Sequence, residues 1–156
     1  MKVIFLDIDG VLNCATSKSR CFGCLGIDDD KVKRLKTIVL NTGAKIYLIS
    51  DWKDGWYKES YLKGEQDIFA DYLDRKLKKQ GLYIADKLNG EPYERGKSIK
   101  EWVNDKCIDT LVIFDDITQD YSEQGLEKHF IQTDSSVGLT DNDVIQAIEI
   151  LNTNKD

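Results

Sequence analysis

Val3 to Asn13 reads VIFLDIDGVLN. Val3, Ile4, Phe5 and Leu6 form an unbroken apolar run with β-branched members, the pattern of a strand buried on both faces. Asp7 and Asp9 follow at i, i+2 before Gly10, so both carboxylates leave the strand at its carboxyl end. In open α/β sheets that edge is where ligands bind, because its loops frame a crevice of strand ends. Asp and Gly also serve turn chemistry alone. The DxDG pattern therefore gains meaning only from what the other strands carry.

Cys14 to Ile27 is a loop too long for a simple βα connection, which favours a functional role over the crevice. A helix follows, with Asp28 as N-cap, Asp29 and Asp30 complementing the dipole, an apolar stripe of Val32, Leu35, Val39 and Leu40, and Asn41-Thr42-Gly43 as its end. Lys45 to Ile49 is a second buried strand, closed by Ser50-Asp51. Trp52 to Gly64 then interleaves Trp52, Trp56, Tyr57 and Tyr61 with Lys53, Lys58 and Lys63. That mixture suits base stacking beside a phosphate-bearing strand. A short amphipathic helix burying its aromatics accounts for it more simply.

Gln66 to Gln80 reads as a helix with Ile68, Phe69, Tyr72, Leu73 and Leu77 at helical spacing and Gly81 as its stop. Leu82 to Ile84 is a short third strand. Beyond Pro92, Glu94 to Asp105 forms a helix that turns Ile99, Trp102 and Val103 inward. Arg95 and Lys97 at its amino end oppose the dipole, which a purely structural sequence would rarely choose. Thr110 to Phe114 is another buried strand, again ended by paired carboxylates, Asp115-Asp116. Phe130 to Gln132 is a last short strand, and Thr140 with Asp143 is a capping box for a final helix packed through Val144, Ile145, Ile148 and Leu151. Alternating strands and helices imply a mostly parallel sheet covered on both faces, in one α/β domain over residues 1–156.

Composition narrows the partners. The 156 residues are 41% hydrophobic and 32% charged, as in soluble globular proteins. A net charge of −6 argues against a broad polyanion-binding surface and leaves room for a local basic rim. No stretch reaches the apolar length of a membrane span, and Met1-Lys2 runs straight into the first strand without a signal-peptide pattern. The expected location is the cytoplasm. Cys14, Cys21 and Cys24 could open a zinc site, but Cys107 and His129 precede strands and should lie at the opposite sheet edge, so reduced thiols are expected.

If the first and fourth strands are neighbours, Asp7, Asp9, Asp115 and Asp116 converge at one edge. Carboxylates so close raise one another's pKa, and protons or a metal must relieve them. All-oxygen ligation suits a hard divalent ion, Mg2+ best, and a magnesium site implies a phosphate partner. Ser50 offers a hydroxyl and a backbone N–H for that phosphate, while Arg95 or Lys97 offers positive charge.

On these residues the chain resembles a haloacid dehalogenase (HAD) superfamily phosphatase. The four signature motifs correspond to Asp7-Ile8-Asp9-Gly10-Val11-Leu12-Asn13, Ser50, Arg95 with Lys97 nearby, and Asp115-Asp116. More narrowly, VIFLDIDGVLN, TGAKIYLISDW, RGKSIKEWV, VIFDD and VGLTDNDVIQAI resemble the small domain of this superfamily associated with RNA-repair proteins.

The resemblance implies a three-layer, Rossmann-like fold and an aspartyl-phosphate mechanism. Asp7 would be the nucleophile, and Asp9 would serve as acid and then base, its main-chain carbonyl joining Asp7, Asp115 and Asp116 around Mg2+. Gly10, Ser50, Asp51, Arg95 and Lys97 would surround the phosphate, with Arg95 preferred as the cation because its RG pair matches the narrower family. Asp9 points to phosphate esters, since a halide leaving group needs no acid. Cys14 to Ile27 and Trp52 to Gln66 are too short for a cap domain. An open crevice suits a phosphorylated nucleotide or an RNA or DNA end. The alternative is a catalytically inactive module of the same fold that binds phosphorylated or repair-complex partners. A response-regulator receiver fits less well, because there the adjacent acid pair follows the first strand.

Overall fold

The computed structural model describes residues 1–153. Its main sheet has five strands: β1 (Lys2–Leu6), β4 (Lys45–Leu48), β5 (Ile84–Lys87), β6 (Thr110–Asp115) and β7 (Phe130–Gln132). A small antiparallel hairpin, β2 (Arg20–Cys21) and β3 (Cys24–Leu25), rises from the loop after β1. The helices are α1 (Asp29–Thr42), α2 (Ile68–Lys78), α3 (Arg95–Asn104) and α4 (Asp141–Asn152). No helix among the described residues is long and apolar enough to cross a membrane.

The strand order is β5-β4-β1-β6-β7, and every neighbouring pair is parallel. After β1 the chain adds β4 and β5 on one side, then returns to lay β6 and β7 on the other. That reversal beside β1 is the topological switch point, where splayed loops open a crevice at the strands' carboxyl ends. β1 is the central strand, and its residues alternate between faces. Ile4 and Leu6 join the core under α1, α2 and α4, whereas Val3 and Phe5 join a second core with Ile99 of α3, Ile113 and Tyr121. Both faces are dry, which explains why β1 reads as continuous apolar sequence.

The Thr140 and Asp143 capping box forms in full, with reciprocal side-chain and backbone bonds. Gly43 ends α1 in the left-handed conformation, as the Asn41-Thr42-Gly43 stop requires. Several local expectations shift. Leu40 and Ile145 are exposed, because the buried stripes run through Val32, Leu35 and Ile38 on α1 and through Val144, Ala147 and Leu151 on α4. A neighbour one residue along turns about 100° off such a stripe. Ile68, at the start of α2, is also exposed.

The third strand of the main sheet begins at Ile84, not Leu82. Leu82 belongs to the end of α2: its N–H bonds the Leu77 carbonyl and the Gly81 N–H bonds that of Lys78, a Schellman pair with Gly81 at φ 73°. Trp52 to Gly64 is not one amphipathic helix. It forms two 3-10 segments, 51–55 and 60–65, that bury Trp56, leave Trp52 half-buried and expose Tyr61.

Candidate active site

Backbone pairing brings the acids together. The register Leu6↔Phe114 continues into an Asp7 N–H bond to the Phe114 carbonyl at 3.0 Å, which sets Asp7 beside Asp115 at the switch point. Asp7, Asp115 and Asp116 each offer an oxygen within 4.8 Å of the others. Among the described residues this is the one His, Cys, Asp or Glu group so placed. On the other side of β1, the Ile49 N–H bonds the Leu6 carbonyl, so Ser50 emerges next to Asp7's strand end. Ser50 is buried, and its hydroxyl accepts the Trp52 N–H at 3.3 Å.

Of the two cations, it is Arg95, the first residue of α3, that reaches the acids. Its Nη1 lies 2.7 Å from Asp115 Oδ2 and 3.3 Å from Asp7 Oδ2, and its Nη2 lies 3.6 Å from Asp51 Oδ1. Lys97 is exposed and reaches Glu94 at 3.4 Å. The amino end of α3 is instead stabilised by Asp120, whose carboxylate accepts the Gly96 and Lys97 N–H groups at 2.6 and 2.9 Å. A carboxylate there offsets the dipole that Arg95 opposes.

Asp9 stands apart from the three acids. Its carboxylate is held outward by Trp52 Nε1 at 3.0 Å and Asn13 Nδ2 at 2.9 Å. Buried Asn13 also accepts the Gly10 N–H at 2.9 Å and donates to the Gly26 carbonyl at 3.0 Å, tying the DxDG turn to the loop that follows. The Gly10 amide is thus engaged within the turn. What Gly10 supplies is shape: it sits at φ 77°, and a Cβ there would overlap the Asp116 carboxylate.

Electrostatics match this crowding. Burial, reinforced by Asp115 and only partly opposed by Arg95, pushes the Asp7 carboxyl up to about 7. Burial and Asp115 also raise Asp116. Burial works against the Arg95 charge, yet Asp7 and Asp115 outweigh it and hold its proton more tightly than usual. Tyr121, fully buried, donates its hydroxyl to Asp115 Oδ2 at 2.6 Å, and burial beside that acid raises its pKa. Three hard oxygen donors, clustered and only partly neutralised by Arg95, fit a divalent cation of the magnesium class.

Sequence reasoning named Asp7, Asp9, Ser50, Arg95, Asp115 and Asp116, of which the structure gathers Asp7, Arg95, Asp115 and Asp116. It missed the tethers: Asn13, quoted in the motif without a role, and Trp52, Asp120 and Tyr121. Asn13 closes the DxDGxxN run and could have been questioned as a buried amide. Asp120 and Tyr121 carry no pattern, because they act across a loop.

Neither the curated proteins nor the solved structures gave a match to this chain. The family model described as the HAD domain in Swiss Army Knife RNA repair proteins matches residues 3–144, from the first strand through the start of α4. A match over that span takes in every residue of the acid cluster, Ser50 and Arg95, and the chain belongs to the family of HAD domains found in Swiss Army Knife RNA repair proteins.

Proposed function

We propose that the protein is a magnesium-dependent phosphatase. It hydrolyses a phosphate monoester through a covalent intermediate on Asp7, and its substrate is a phosphorylated nucleotide or a nucleic-acid end. The observation that carries this reading is the meeting of Asp7, Asp115 and Asp116 within 4.8 Å at the switch point, with Arg95 3.3 Å from Asp7. The family's link to RNA repair supports the substrate class.

Asp7 attacks phosphorus, forming an aspartyl-phosphate as the ester P–O bond breaks. Asp9, on the outer side of the turn, gives its proton to the departing alkoxide and then takes one from the water that hydrolyses the acyl phosphate. Arg95, Ser50 and the main chain at Asp51 hold the phosphoryl oxygens in line. Magnesium held by Asp7, Asp115, Asp116 and the Asp9 carbonyl would offset the repulsion between acids and phosphate. Trp52 and Asn13 keep Asp9 on the leaving-group side, and Tyr121 fixes Asp115.

The test is hydrolysis of a generic aryl phosphate. The expected result is turnover that needs added magnesium, is lost in Asp7→Asn, and leaves a phosphate label trapped on Asp7 of wild type after rapid acid quench. Turnover surviving in Asp7→Asn would overturn the mechanism. Nucleotides and phosphorylated nucleic-acid ends should then outpace sugar phosphates and phosphopeptides, and the reverse order would overturn the substrate class.

A further inference from the structure

Two cavities flank α2. The larger, about 840 Å³, is lined by Trp56, Lys63, Arg75 and Tyr83 among others and includes none of the candidate catalytic residues. Its Lys63 and Lys58 are already paired, with Asp74 and Asp86. The smaller, about 470 Å³, includes Asp9 itself. That size falls in the roughly 300–1,000 Å³ range of small-ligand sites. A leaving group that takes its proton from Asp9 must depart toward this side.

The pocket's walls state what it accepts. Trp52 and Phe69 supply aromatic surface, Cys24 and Leu25 come from the hairpin, and Asp51 and Asp67 are its other carboxylates. Trp52 is anchored by its N–H on Asp9, so its indole is fixed beside the acid. Phe69 meets Trp52 edge to face at 5.7 Å, and Phe22 meets Phe69 in the same way at 6.1 Å. The aromatic row therefore starts at the acid and runs through Phe69 to Phe22, which lines the larger cavity and not the pocket beside Asp9.

Its outer member is costly in two respects. Phe22 is 65% exposed at the hairpin tip, and it holds φ 49°, a left-handed conformation that a bulky side chain rarely adopts. The two-residue turn Phe22-Gly23 between β2 and β3 needs a positive φ at both positions, but it does not need a large aromatic there. No Lys or Arg lines the pocket, so a second phosphate finds no partner there, whereas ribose hydroxyls and exocyclic amines can donate to Asp51.

From this arrangement we infer that the pocket beside Asp9 is a nucleobase subsite. It takes the unpaired base of the nucleoside that carries the scissile phosphate, stacked on the face of one of the two rings, Trp52 or Phe69, and met by the edge of the other. The inference rests on the phosphatase reading above and deepens it. A free nucleotide and the frayed or single-stranded end of a nucleic acid share this chemistry. A base locked in a blunt duplex does not, because its edge is paired and its inner face stacked, so it cannot leave the helix to enter the pocket.

The experiment compares kcat/KM in magnesium for glycerol phosphate, a nucleoside monophosphate, a single-stranded oligonucleotide with a terminal phosphate, and the same end in a blunt duplex. Unpaired substrates should exceed glycerol phosphate, and the blunt duplex should not. A higher value for the oligonucleotide than the mononucleotide assigns the subsite to strand ends, and the reverse assigns it to free nucleotides. Phe69→Ala should lower the ratio of base-bearing to glycerol phosphate turnover by about 10-fold, the scale of one lost stacking contact. Phe69→Leu, which keeps apolar volume, should move the ratio the same way.

An unchanged ratio in both variants overturns the subsite, as does a blunt duplex equal to the single strand. A wild type inactive on every ester would instead sink the phosphatase reading. The subsite is then judged by fluorescence anisotropy of a labelled, phosphorylated single strand on Asp7→Asn. Loss of about 10-fold in affinity on adding Phe69→Ala sustains it, and equal affinity overturns it.

Discussion

Replacing Asp7, the proposed nucleophile, should make the metal-free protein more stable, and the gain should depend on pH. Asp7 is 5% exposed and faces Asp115, and its carboxyl is pushed up from 3.8 to about 7. In the unfolded chain it loses its proton near the ordinary value. Between the two values the native state binds more protons, so stability falls as pH rises. At about 1.4 kcal/mol per unit, the roughly 3-unit interval caps the loss at about 4 kcal/mol, complete above pH 7. Asp7→Asn keeps the shape without the charge, while Arg95 keeps Asp115 at 2.7 Å. In chelator, urea melts of wild type and Asp7→Asn should nearly coincide below about pH 4 and separate steadily toward pH 8, with the variant more stable. A variant less stable than wild type at pH 8, or a constant gap across the range, would refute the view that the native fold holds an unrelieved acid in wait for a cation.

The other expectations follow from single contacts. Arg95→Ala should lower kcat/KM about 100-fold to 1,000-fold, the cost of one lost transition-state donor, whereas exposed Lys97→Ala should stay within about 3-fold; steady-state assays with an aryl phosphate separate them. Gly10→Ala forces a left-handed Cβ onto the Asp116 carboxylate and should cost about 1–2 kcal/mol in urea melts and weaken magnesium binding measured by calorimetry. Tyr121→Phe removes a hydrogen bond to a buried carboxylate and should lower stability by about 1.5–3 kcal/mol without changing the fold seen by circular dichroism. Magnesium at about 100 times its dissociation constant should add about 2.7 kcal/mol to wild type above pH 7, and much less to Asp115→Asn.

How far the sequence could be read follows from the range over which each residue acts. Asp7 and Asp115 were legible because each ends an apolar strand, and a strand's direction fixes where its last side chain emerges. Their meeting required β1 and β6 to be neighbours, which no local pattern states and the strand order supplies. Arg95 and Lys97 show the same limit. Two cations at i, i+2 on one helix turn point in different directions, so one reaches the acids while the other meets Glu94. Leu82 misled because an apolar residue after a glycine stop serves a helix end as readily as a strand start. Asp120 and Tyr121 escaped altogether: each acts on a residue reached only through the fold, and neither sits in a periodic segment. Trp52 is the sharpest case. Its aromatic character was visible, yet its bond to Asp9 spans 43 positions, and that bond turns a generic apolar side chain into the inner wall of the pocket beside Asp9. The acid cluster needs carboxylates and nothing else, so its residue types announce it. A shelf for a base can be built from any aromatic residue, and only position beside the acid separates it from core.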